Sequence, residues 1–168
     1  MREADERLRN SRLVFYKEDI DKIDKMLEEM LRLSKAKCAL LIDKDGHLVT
    51  KSGGSSSYDT DTIAALVAGS FAATKEMARI LGEEEFSVLF HQGKKDNIHL
   101  TLVGNRTLLA IIFDDKTTVG MVRLYSNEVT KKMVTVFTDA SKKTGPKQAM
   151  DTGYSSAAQN KVDEFFKD

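Results

Sequence analysis

The chain has 168 residues, enough for one domain with roughly 70% of its unfolded surface buried, so a core forms without a disulfide or metal staple. Hydrophobic residues are 41% and charged residues 31%, which is a globular composition and excludes a disordered chain. Lys plus Arg number 26 and Asp plus Glu 26, and this balance argues against a nucleic-acid binder, which needs excess positive charge against phosphates.

The first element follows from period. Ile20, Ile23, Leu27, Met30 and Leu31 recur at helical spacing among charges, so residues 17–34 are read as an amphipathic helix. Lys37–Asp43 is a compact apolar strand, and the Asp45-Gly46 turn returns it as a second strand, His47–Lys51. Ser52–Ser57 reads as a loop. Asp59, Thr60 or Asp61 caps the next helix, because each side chain can accept from an amide of the first turn. That helix is expected to end near Leu81, with Gly82 in the left-handed conformation of a C-terminal cap.

Three strands follow, Phe86–Gln92, Ile98–Val103 and Arg106–Phe113, with Gly104-Asn105 read as a two-residue hairpin between the last two. The stretch VGMVRLYS fits a strand, yet Val119, Val122, Ser126, Val129, Met133, Val136 and Phe137 share one side of a helical wheel, which predicts a final helix. The order is α-β-β-α-β-β-β-α, and hairpin-sized gaps make the sheet largely antiparallel. The single proline, Pro146, precedes a small, polar stretch. Residues 1–12 are therefore a flexible start, 13–142 the domain, and 143–168 a linker with a short amphipathic helix.

Catalytic chemistry is not visible. No phosphate-binding loop, metalloprotease or nucleophile-elbow motif occurs, and His47, His91 and His99 stand singly on strands. Cys38 is alone, so no disulfide framework or zinc cluster forms, and no apolar run of membrane-spanning length occurs. No cofactor or metal is expected, and the charged N-terminus carries no signal peptide, which points to the cytoplasm.

The second helix carries the most information. Counting about 100° per residue, Ile63, Leu66, Val67, Ser70, Thr74, Met77 and Leu81 gather as a core face. Opposite them lie Ala65, Ala68 and Ala72, then Lys75, Glu76 and Arg79. This smooth alanine strip either admits a partner backbone or reflects alanine's helix propensity. The third strand has no charge from Ser87 through Gln92, so it is either a sheet edge that pairs with a second copy or a central strand. Ala158, Val162, Phe165 and Phe166 share one face of a C-terminal helix, which docks in a partner's groove or folds back on its own domain.

Together the LLIDKDGHLV hairpin, the stretch IAALVAGSFAATKEMARILGEEEF and LTLVGNRTLLAIIFDDKTTVGMVRL resemble a Roadblock/dynein-light-chain domain, and within it the bacterial MglB-type group, partners of the Ras-like GTPase MglA. The similarity covers about residues 15–140. It implies an α+β sandwich with a five-stranded antiparallel sheet, the second helix on one face and the terminal helices on the other. It also implies a homodimer through the second helix and third strand, with Phe86, Val88 and Phe90 at the seam. The paired second helices would offer a platform of Ala65, Ala68, Ala72, Glu76 and Arg79 to one GTPase per two chains. The resemblance further implies stimulated GTP hydrolysis without an inserted arginine, front–rear polarity in motile bacteria, and a cytoplasmic protein concentrated at a cell pole. Val162, Phe165 and Phe166 would make a second contact. A scaffold that recruits a GTPase or motor subunit without altering turnover is the alternative, and a small-molecule sensor is the weaker third reading.

Overall fold

The computed structural model describes residues 17–54 and 58–140, with Lys17–Val136 as a compact unit. Helix α1 spans Lys17–Ser34, β1 Cys38–Asp43, β2 Leu48–Gly53, α2 Thr60–Leu81, β3 Val88–Gln92, β4 Asn97–Val103 and β5 Thr107–Phe113. The last helix, α3, covers residues 119–140. The ambiguous VGMVRLYS stretch is thus helical, as its wheel indicates. Val119 is the exception, since it opens the helix exposed rather than in the core.

The strands form one antiparallel sheet in the order β2-β1-β5-β4-β3. Alternation along the strands gives two apolar faces. On one, Leu40 and Ile42 of β1, Leu108 and Ala110 of β5, and Leu100 of β4 pack under Ala64, Val67 and Phe71 of α2. The other face is covered by α1 and α3. Thr50 on β2 donates to Asp24 of α1, and Ser126 of α3 donates to Thr101 of β4 at 3.3 Å. Ile23 and Leu27 of α1 and Val122 and Met133 of α3 are buried. The expected order, antiparallel sheet and division of helices between faces are all present.

Local chemistry sets the ends of α2. Asp59 caps it, accepting from Thr62 N at 3.1 Å and Thr62 Oγ1 at 2.6 Å, and these bonds hold its carboxyl below the usual range. Gly82 closes it at φ 82°, with Glu83 N donating to Ala78 O at 2.9 Å. Two turn expectations need correction. Strand β2 continues through Gly53, beyond Lys51, because Lys51, Ser52 and Gly53 pair with Leu40, Ala39 and Cys38. The β4–β5 loop has three residues, Gly104 to Arg106, because Val103 pairs directly with Thr107. The tail with Val162, Phe165 and Phe166, and the boundaries at 1–12 and 143–168, lie outside the described residues.

Candidate partner-docking surface

Helix α2 sits on the sheet in a different rotation from the one read off its sequence. Its buried stripe is Thr60, Ala64, Val67, Ala68, Phe71 and Ala78. Leu66 is 68% exposed and Ile80 75%, and Met77 and Leu81 are exposed too. The expected core face is therefore corrected at Leu66, Met77 and Leu81. So is the outward placement of Ala68, which is 8% exposed.

The β1–β2 turn explains Ala65 and Ala68. Gly46 holds φ 91°, and a Cβ there would meet Ala65 Cα at 3.1 Å and Ala68 Cβ at 3.5 Å. The turn therefore lies directly against one flank of α2, and only small side chains on the helix admit it. Its shape is fixed from within, since Asp43 Oδ1 accepts from Asp45 N at 3.0 Å and His47 N at 2.9 Å. Lys44 Nζ lies 3.8 Å from Glu85 Oε1, an ion pair between this turn and the segment after α2.

One flank of α2 lies against the β1–β2 turn, and the other is turned away from it. That flank carries Leu66, Ser70, Met77 and Leu81, with Gly69, Ala73 and Ile80 along the crest. Exposed leucine, isoleucine and methionine in one stripe form an apolar surface of the kind that marks an interaction site. Ala65, Ala72, Glu76 and Arg79 are exposed on the crest and the turn-side flank, and Arg79 Nε donates to Glu76 Oε2 at 3.0 Å.

Among the described residues, strand β3 is a sheet edge, paired with β4 alone. Ser87 O extends that ladder by accepting from Leu102 N at 3.0 Å. Phe86 and Val88 are half-buried, and Phe90 is 41% exposed with its ring stacked on Phe113, 6.0 Å between centroids. The outer side of β3 thus presents backbone groups without a strand partner next to apolar side chains. At the far end of the edge the β3–β4 turn is clasped. Asp96 accepts from Lys37 Nζ at 2.9 Å and from Tyr58 OH at 3.4 Å. Tyr58 and Asp96 raise the Lys37 pKa, and Lys37 lowers that of Asp96.

No group of metal-binding side chains occurs among the described residues, and no described helix is long and apolar enough to cross a membrane. Burial pushes the Cys38 thiol up to about 11.

The sequence model of the family described as Roadblock/LC7 domain matches residues 22–113. The chain belongs to the Roadblock/LC7 family. Among solved structures it is similar to Myxococcus xanthus MglB, at 35% identity and TM-score 0.72, over 76% of this chain and 96% of that one. It is also similar to the gliding protein MglB from Thermus thermophilus, at 31% identity and TM-score 0.71, over 75% and 96%. A third similar structure, described as MglB with a tetrameric arrangement, has 31% identity and TM-score 0.72, over 76% and 96%. A comparison with curated proteins gave no match. On helix α2, sequence reasoning placed Leu66, Met77 and Leu81 in the core and did not single out Ile80, and all four are exposed. A wheel centred on Phe71, the bulkiest side chain of α2, would have gathered Ala64, Val67 and Ala78 beneath it and left those four outside.

Proposed function

We propose that this chain is a homodimeric, non-catalytic regulator that binds a small Ras-like GTPase of the MglA type and stimulates its GTP hydrolysis. The observation that carries the reading is that the same chain has an exposed apolar flank on α2 and a sheet edge at β3. Similarity to the MglB structures supports a GTPase of the MglA type as the partner.

One two-fold axis satisfies both the flank and the edge. Antiparallel pairing of β3 with its copy gives every outward amide and carbonyl a partner and joins two sheets into one of ten strands. Phe86, Val88 and Phe90 then lie at the seam, and Leu66, Met77 and Leu81 of each copy meet above it. Ala65, Ala72, Glu76 and Arg79 form the platform for the GTPase, two chains to one GTPase, while Ala68 acts beneath the surface by admitting the β1–β2 turn. The C-terminal segment with Val162, Phe165 and Phe166 makes a second contact. Stimulation works by reshaping the GTPase's own switch segments, so no arginine is inserted, and Arg79 serves binding. The dimer acts in the cytoplasm at a cell pole, setting polarity for gliding motility.

Phosphate release from an MglA-type GTPase, measured against added protein, tests this. Turnover that rises and saturates near two chains per GTPase is the expected result, with Arg79→Ala within about tenfold of it at saturation. An in-trans arginine finger is worth about 10³–10⁵, so a loss of that size in Arg79→Ala refutes switch remodelling. A stable complex with unchanged turnover moves the function to scaffolding.

A further inference from the structure

Strand β4 departs from the apolar pattern on the face it turns to α3. His99 and Thr101 stand there, directly across from Ile111 and Leu109 of β5. Both are buried, His99 at 1% exposure. They are joined to the helix above by a chain of side-chain bonds. Ser126 Oγ donates to Thr101 Oγ1 at 3.3 Å, and Thr101 Oγ1 lies 3.4 Å from His99 Nδ1. A threonine hydroxyl that accepts from Ser126 has its own proton to give to Nδ1. This arrangement suits a neutral imidazole whose Nδ1 accepts from Thr101. Nε2 is itself buried without a hydrogen-bond partner, as is Thr130 Oγ1 further along α3.

A second proton on this ring adds a charge that the site does not answer. It occupies Nδ1, which then donates to Thr101 Oγ1, so the Thr101 hydroxyl proton must find another acceptor while Nε2 stays without a partner. The charge then sits in a buried layer where, among the described residues, no carboxylate is seen to act on it. The ionisable group acting on it from α3 is Arg123, which is also positive. The cross-strand neighbours are Phe90 on β3 and Ile111 on β5. Burial and Arg123 accordingly hold the His99 pKa below the ordinary value.

We propose that His99, Thr101 and Ser126 form an acid-sensitive latch that holds α3 on the β3–β4 half of the sheet and releases it when the imidazole gains a proton. The direction follows from linkage. A histidine whose folded pKa is depressed contributes stability that is complete above its unfolded pKa, about 6.5, and is lost as pH falls below it. Each unit of pH in that window favours the open, protonated state about tenfold. Because Phe90 lies on the edge strand directly across from His99, release of α3 also loosens β3.

Amide hydrogen exchange on the whole chain, at about pH 5.5 and pH 7.5 and corrected for intrinsic rates, reads this opening. Amides of α3 over residues 119–136 and of β4 should lose protection about tenfold per pH unit below about 6.5, while those of α1 keep theirs. His99→Gln retains an acceptor for the Thr101 hydroxyl and cannot titrate in this range, so its α3 protection should not vary with pH. In parallel, the His99 ring signal in the unmodified chain should titrate below the ordinary histidine value. The proposal is overturned by pH-independent protection of α3, by the same response in His99→Gln, or by a ring that titrates at or above the ordinary value. Should His99→Gln not fold, the ring titration and the α1–α3 contrast decide the matter.

Discussion

Replacing Leu66 by alanine removes three carbons from the exposed apolar flank of α2 that the proposed dimer covers. Leu66 is 68% exposed in the single chain, so the substitution costs the isolated fold little. Full burial is worth about 0.8 kcal/mol per carbon, and a seam can cover only the exposed two-thirds, so each copy loses roughly 1.6 kcal/mol. A two-fold interface counts every substitution twice, giving about 3 kcal/mol, or roughly a 200-fold rise in the dimer dissociation constant. Sedimentation equilibrium over a range of concentrations measures that constant, and a thermal melt in the monomeric range checks that the fold is intact. Ala72→Ser, at an exposed position on the other side of the helix crest, is the control and should leave the constant unchanged. A Leu66→Ala protein that dimerises within threefold of the unmodified chain refutes the seam, and dimer loss in Ala72→Ser would place it on the wrong flank.

Two further outcomes follow from the same geometry. Gly46→Ala combines φ 91° with a Cβ at 3.1 Å from Ala65 Cα, so it should destabilise the fold by about 1–3 kcal/mol, read as a lowered denaturant midpoint with an unchanged slope. Asp96→Asn removes the carboxylate from the Lys37–Tyr58 clasp. Because Lys37 lowers the Asp96 pKa, the carboxylate stabilises above the ordinary value near 3.9 and loses that effect as pH falls through its native pKa. Asp96→Asn should therefore be less stable than the unmodified chain at neutral pH, and the gap should close on acidification; a gap that widens would refute the clasp.

Turns and caps were the most legible parts of this chain, because each needs one residue type at one place. Gly82 and the Asp45-Gly46 pair identify the end of α2 and the first hairpin without knowledge of the rest of the molecule, and the start of α2 narrows to Asp59, Thr60 or Asp61, of which Asp59 is the cap. The rotation of α2 was not legible. A wheel sums apolar residues whatever covers them, and Leu66, Met77 and Leu81 are as hydrophobic as any core residue while lying exposed. The small side chains were misread for the converse reason. Ala68 looks like open surface in a sequence, and its smallness answers to the backbone of Gly46, some twenty residues earlier. Likewise His99 reads as an ordinary strand residue, because the Ser126 hydroxyl that reaches it through Thr101 comes from a distant element, α3.

The central pairing of the sheet has a consequence for how the chain folds. Strands β3, β4 and β5 form a meander of neighbouring turns, and β1 and β2 form a hairpin, so each group can zip locally. They meet only where β1 pairs with β5, Asp43 against Thr107 and Cys38 against Ile112, which closes a loop holding the whole of α2. The entropy of closing that loop is spent before the core beneath Phe71 offsets it. Until β1 docks, the meander carries open apolar strands at both margins, β3 on one side and β5 on the other, so the chain is most exposed to mispairing just before its two halves join.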